Sequence, residues 1–425
     1  MLIGVVLLVA VTIAGCGDGA KPLRIGVITD CTGIYRSLED AELSGASLPL
    51  IQHGAKLHAR RASDGIGMAE VAGRSVQLVR GCTESLEFSV LTGEVRRLVE
   101  NEHVDIIVAG TTGPDEVVLR DLAHRYPHVL FVPVVHGPRE VMLHRAAPNV
   151  YRFAADYGQG VAGLADHAYR RLGWRRAAIV TAPWEGGWSE RDAFTAEFCA
   201  LGGRVTSQVS PVYLFDAQGG DVARVPRDVD GVAVLGAASF FQPNGFIHRL
   251  ARRVGDPARH IVVGPDTVDD VDTLKANADA LRGVVAGSYL DPASRQEYLR
   301  AFAKAFPGVP KSVADSWLVR GFRDGVEVVL RGLARSGGDA QQLPGALARV
   351  HADLLGGPVR LDHRRQGVVT SRVVRISRSG EPTLTPVRSI PNVDESIGGL
   401  IAASASASDR PAPCRRGHTP PPWAQ

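Results

Sequence analysis

The chain has 425 residues, of which 45% are hydrophobic, 22% charged and 6% aromatic, a globular balance that excludes a wholly disordered polypeptide. Its length suits two or three domains, or one large two-lobed body. The net charge is +3, and the basic residues are mostly arginine, spread along the chain and balanced locally by acids, so nothing marks a nucleic-acid surface. Five cysteines show neither CxxC nor Cys/His ligand spacing, so neither a metal site nor a cofactor is expected.

The first segment is a leader. Leu2 to Ala14 is a continuous apolar run, shorter than the ~20 residues a membrane span needs and matched to a signal-peptide core. It closes on Ile13-Ala14-Gly15-Cys16, which resembles a bacterial lipobox, a signal in which the Cys becomes the lipidated first residue. The expectation is an exported chain held at the cell membrane through an acyl group on Cys16, with residues 1–20 as signal and lipidation site.

From Leu23 the body alternates strands and helices. Leu23–Thr29 and Ser75–Arg80 read as strands, with a helical stretch from Ala41 to Arg61 between them. Cys31 and Cys82 each follow one of those strands. If the strands are neighbours, the sulfurs meet at one sheet edge and a disulfide is expected; if not, both are small buried thiols. A helix over Glu87–Asn101, a buried strand at Val104–Ala109, a helix over Asp115–Tyr126 and an apolar run at His128–Val135 follow. After Tyr151-Arg152-Phe153 the rhythm restarts. Helical stretches at Gly158–Leu172, Arg191–Ala200 and Phe246–Val254 then alternate with strands at Ala177–Thr181, Gly231–Leu235 and His260–Val263. Cys199 falls on a helix and reads as core, and Cys414 carries no signal. Apolar strands separated by amphipathic helices imply parallel sheets covered on both faces. The expected fold is therefore α/β, with two doubly wound parallel-sheet lobes whose small, polar strand ends face one another across a cleft.

Several short motifs, in order, carry a family resemblance. They are Arg24-Ile25-Gly26-Val27, Val71 to Val79, Val104 to Gly110, Val132-Pro133-Val134-Val135, Tyr151-Arg152-Phe153 with Asp156, Gln159 and Gly160, Arg323-Asp324-Gly325-Val326, and Gly357 to Asp362 with Gly367. From about Leu23 to about Ile376 the chain resembles bacterial extracellular solute-binding proteins of the leucine/isoleucine/valine-binding type, with the type I periplasmic-binding fold. The resemblance implies three interlobe crossings, near residues 151, 283 and 355. One lobe then comprises residues 21–151 and 283–355, and the other residues 152–282 and 356–390.

It also implies ligand contacts. On the first lobe these match Thr111-Thr112-Gly113, whose hydroxyls and N–H groups suit a carboxylate at a helix N-terminus; Thr112 equally suits a plain N-cap. The next matching loop holds His136, where the family usually offers Ala and Thr; a structural histidine is the alternative. On the second lobe the family's aromatic walls match Trp184, with Trp188 nearby, and the stretch Ser239-Phe240-Phe241; tryptophan as plain packing is the alternative. Gly264-Pro265-Asp266 resembles the family's "G-P-E", whose acid pairs with a ligand amino group, although Asp266 also suits a helix cap. Tyr35 and Leu38 fall where the family often places a lid.

Searches for G-x-S-x-G, H-E-x-x-H and G-x-x-x-x-G-K-[ST] find nothing, so no enzyme is expected. From Pro391 to Gln425 the composition turns to Ser, Ala, Pro and Arg, which reads as a disordered tail whose deletion leaves binding intact. The expected function is that of a substrate-binding lipoprotein of an ABC importer. It captures an amino acid or similar carboxylate or amide by hinge closure and hands it to permease subunits. Alternatives are a ligand-sensing lipoprotein, a degenerate scaffold, or an enzyme using the same cleft.

Overall fold

The computed structural model describes residues 21–110, 113–143, 145–210, 222–236, 245–402, 408–410, 414 and 419–425. Cys16 lies outside them. The first sheet contains β1 (Leu23–Asp30), β2 (Ala69–Val71), β3 (Arg74–Thr83), β4 (Ile106–Ala109) and β5 (Leu130–Pro133), in the order β2-β3-β1-β4-β5. All pairs are parallel except the β2–β3 hairpin. Alternation along β1 covers both faces: Ile25 and Val27 enter one core, and Ile28 enters the other beside Leu98 and Leu119.

The second sheet contains β6 (Arg176–Thr181), β7 (Arg204–Val209), β8 (Gly231–Leu235), β9 (Ile261–Val263), β10 (Val285–Ser288), β11 (His351–Leu354), β12 (Gly357–Leu361), β13 (Gly367–Ile376) and β14 (Leu384–Val393). Its parallel part runs β7-β6-β8-β9-β10, and an antiparallel extension of β13, β12, β11 and β14 adds to it. Each sheet is thus doubly wound with an antiparallel edge, a single strand in the first and four strands in the second.

Strand membership marks where the chain passes between the two sheets. Val285–Ser288 is fully buried within the second sheet, so the chain leaves that sheet after Ser288. It then returns to the first lobe, where the helix Trp317–Arg335 lies on the helix Glu39–Gln52 so closely that a Cβ on Gly45 would meet the Val319 carbonyl oxygen at 2.3 Å. The hairpin β11–β12 bridges the lobes: its backbone extends the second sheet, while Leu354, Val359 and Leu361 bury in the first lobe's core. The helix expected over Ala41–Arg61 stops at Gln52, because His53-Gly54 turns the chain with Gly54 at φ 89°.

The crossover motif forms a buried polar knot. Arg152 donates to Glu116 at 2.9 Å, to the Pro138 carbonyl at 2.9 Å and to Gln366 at 2.6 Å. Gln159 donates to the Gly367 and Val393 carbonyls at 2.9 and 2.7 Å.

The tail departs from expectation. β14 runs on to Val393, and Ile397 and Ile401 bury in the second lobe's core. Cys199 is bonded to Cys414, with Cα atoms 5.4 Å apart, rather than being a free core thiol. The Trp423 indole donates to Glu197 at 2.9 Å, and Arg191 donates to the Ser408 carbonyl at 2.6 Å. The polar composition misleads here because a few spaced apolar residues and one disulfide suffice to dock the segment. Cys31, just past the end of β1 and two residues beyond the β1 partner of Cys82, is also joined to Cys82, with Cα atoms 5.4 Å apart.

Candidate functional site

Strand order locates the site. In each sheet the first strand is flanked by strands reached in opposite directions: β1 lies between β3 and β4, and β6 lies between β7 and β8. Loops diverge at the carboxyl ends of such pairs and leave a crevice. The two crevices face each other and enclose a cavity of about 740 Å³.

On the first lobe the edge is tied down. The Asp30 carboxylate at the end of β1 accepts from the Ser85 N–H at 2.8 Å and the Ser85 hydroxyl at 2.9 Å. Glu42 accepts from the Asp30 N–H at 3.0 Å, and Asp115 from the Leu86 N–H at 3.1 Å. Burial lifts the Asp30 carboxyl to about 6, against the pull of the Ser85 bonds. Tyr35, Leu86, Gly113 and His136 front the cavity from this side.

On the second lobe, Trp184 precedes the helix Glu185–Ala200 and donates its indole N–H to the Gly236 carbonyl at 2.7 Å. The Tyr157 ring meets it edge-on, 5.1 Å between centroids. Asp266 follows β9 and lines the cavity half-buried. Its neighbours are committed: Asp269 accepts from the Ser288 hydroxyl and the Tyr289 N–H, and Asp270 caps Thr273. Asp266 has no hydrogen-bond partner among the described residues. Burial, then repulsion from Asp269 and Asp270, pushes its carboxyl up to about 7. Glu190 accepts from the Gly236 N–H at 2.7 Å, while its other oxygen is buried without a partner among the described residues. Burial and the Asp266 charge hold Glu190 well above the usual carboxylate range.

Between the lobes, His136 stacks on Tyr289 at 3.8 Å, and the Tyr289 hydroxyl donates to the Tyr157 carbonyl at 2.8 Å. Burial, then the nearby Arg320 charge, pushes His136 down to about 3, so it is a neutral stacking group at physiological pH. Arg320 also lines the cavity, but it donates to Asp315 at 2.8 Å and to the Asp269 carbonyl at 2.8 Å.

The structure therefore brings together Gly113, His136, Trp184 and Asp266; Thr111, Thr112, Ser239 and Phe240 lie outside the described residues. Sequence reasoning missed the lining residues Tyr157 and Tyr289, and the buried Glu190 behind Asp266. Tyr157 sits inside the crossover motif, between Asp156 and Gln159, which was the available signal; Glu190 and Tyr289 had none. A carboxylate between aromatic faces suits a cationic, partly apolar group. Among the described residues no three His, Cys, Asp or Glu side chains are grouped to hold a metal ion, and no helix is long and apolar enough to cross a membrane.

A family model described as periplasmic binding protein matches residues 22–381. No curated protein matches the chain. Among solved structures, an ABC transporter substrate-binding protein from Sphaerobacter thermophilus superposes with TM-score 0.72 at 22% identity, covering 88% of this chain and 99% of that one. A solute-binding protein of an ABC transporter from R. palustris, in complex with benzoate, gives TM-score 0.66 at 20% identity, covering 92% and 99%. A leucine-binding protein from Thermotoga maritima gives TM-score 0.65 at 17% identity, covering 87% and 99%.

Proposed function

The chain belongs to the periplasmic binding protein family, and on that premise we propose that it is the extracytoplasmic substrate-binding lipoprotein of an ABC importer. It takes up a small amine-bearing solute, an amino acid or a related amino-bearing carboxylate or amide, by closing its two lobes over it, and delivers it to permease subunits. One observation carries the choice of ligand: Asp266 faces the cavity half-buried and without a partner among the described residues. A carboxylate so placed is stabilised by an incoming ammonium group, and it repels an aromatic acid that brings only negative charge. Tyr157 and Trp184 provide the apolar wall for the rest of the solute. Closure excludes water and strengthens the polar contacts.

A thermal-shift screen over amino acids, amides and short carboxylates tests the reading, because a ligand bound only by the native state raises its apparent stability. An amine-bearing compound that stabilises the protein supports it; stabilisation by benzoates alone overturns the ligand class. Membrane anchoring rests on Cys16: palmitate labelling is expected in the parent chain and absent from Cys16→Ser.

A further inference from the structure

A second cavity, of about 880 Å³, opens on the second lobe between the helix Leu164–Arg170, the strands β13 and β14, and the last residues of the chain, Trp423 to Gln425. It shares no lining residue with the interlobe cleft. Its lining is strongly basic: Arg170, Arg171, Arg175, Arg375 and Arg388 stand against one acidic side chain, Asp166. That single carboxylate is shared, pairing with Arg170 at 2.8 Å and with Arg388 at 2.7 Å. Positive charge is thus concentrated well beyond what the local acids neutralise, in a chain whose total charge is only +3.

His167 lines the same cavity. It is 8% exposed, and its Nε2 is buried with no hydrogen-bond partner among the described residues. A buried polar atom without a partner is costly, and it marks a place for a ligand oxygen or water. Burial, then the Arg375 and Arg171 charges, push the His167 imidazole down to about 4 against the pull of Asp166. The walls are fixed by bonds that do not use up the arginines: Arg170 also donates to the Ala424 carbonyl at 2.6 Å, Arg388 to the Trp423 carbonyl, and Arg375 to the Gly283 carbonyl at 3.0 Å. Each guanidinium carries five N–H donors, so these contacts leave donors for a bound anion.

We propose that this arginine-lined cavity is a binding site for a phosphate-type oxyanion, separate from the solute cleft. Guanidinium groups bind such anions in fork geometry, and several around one cavity give it capacity for a doubly charged group. A free phosphate and a phospholipid headgroup share this chemistry.

The test uses the full chain carrying Cys16→Ser, so that no acyl group attaches. Inorganic phosphate is titrated by calorimetry, with the His167 imidazole followed by NMR, and vesicles of phosphatidylglycerol or phosphatidylcholine are tested for co-sedimentation. The expected result is saturable phosphate binding that shifts the His167 signals. Arg171→Glu with Arg388→Gln weakens it by at least about tenfold, the loss of charge-assisted bonds, whereas Arg349→Glu on the first lobe leaves it unchanged. Arg171→Glu alone repeats the test without disturbing the Arg388–Asp166 pair. Phosphatidylglycerol-selective retention that the variant loses assigns the anion to a lipid headgroup; phosphate binding without selective retention assigns it to a free phosphate. Absence of both effects, or their survival in the Arg171→Glu/Arg388→Gln chain, overturns the proposal.

Discussion

Asp30 and Asp266 occupy comparable places, each at the carboxyl edge of a sheet, and burial raises both carboxyls, to about 6 and about 7, but Asp266 lines the cleft while Asp30 lies buried behind its rim. Their surroundings differ. One Asp30 oxygen is bonded by the Ser85 N–H and hydroxyl and so fixes the loop that forms the first lobe's rim, while the other is buried without a partner among the described residues. Asp266 is left without a partner among the described residues, beside two acids that are already engaged. The lesson is that a raised carboxyl does not by itself mark a binding group; a place in the cavity lining, which Asp266 has and Asp30 lacks, separates a group open to a ligand from a buried strut.

If tied acids are struts, removing what ties them must cost stability. The largest effect is expected from ending the chain at Ile390. That removes the buried Val393, Ile397 and Ile401 and takes Trp423 from Glu197, a loss of more than about 5 kcal/mol by burial and orphaned-carboxylate reckoning. Denaturant unfolding checks it; an unchanged midpoint would restore the disordered-tail reading. Arg152→Ala comes next. It leaves Glu116 buried with its main cation gone, and a loss of about 3–5 kcal/mol is expected from the same measurement. Asp30→Ala, measured near pH 5 where the native carboxyl is largely neutral, should cost about 1–3 kcal/mol through the Ser85 groups it orphans.

Asp266→Asn should behave oppositely. Its native carboxyl is raised from an ordinary value of 3.8 to about 7, so the folded state holds the proton more tightly than the unfolded state. Its contribution favours folding least at high pH: the penalty is absent below about pH 4, grows between the two values, and is complete above about pH 7. The variant should therefore be about 1–2 kcal/mol more stable than the parent near pH 8 and equal to it near pH 4, with allowance for partial exposure. Equal stability at both values would erase the distinction from Asp30.

Much of the frame was legible in the sequence because β4, β8 and β9 are fully buried and read as continuous stretches without a polar residue. β14 was not, since most of its residues are exposed and no alternation survives. The Cys199–Cys414 bond joins positions 215 residues apart and leaves no local trace. At the site, Gly113, His136, Trp184 and Asp266 could be found because each follows an apolar strand, where an ordered motif series gives position. Glu190 lies inside a helix, and Tyr289 on the return crossing, whose approach to the cleft depends on tertiary closure.

The central claim, a cleft that holds an amine through Asp266, is tested most directly by calorimetric titration of a stabilising amino acid or amine into the parent and Asp266→Asn proteins. Each is titrated at about pH 5.5 and about pH 8.5, on either side of the Asp266 value. The account predicts parent binding that tightens toward the higher pH, and variant binding that is weaker by about 1–3 kcal/mol with little pH dependence. Equal affinity in the two proteins, or parent binding that tightens as the pH falls, would contradict it.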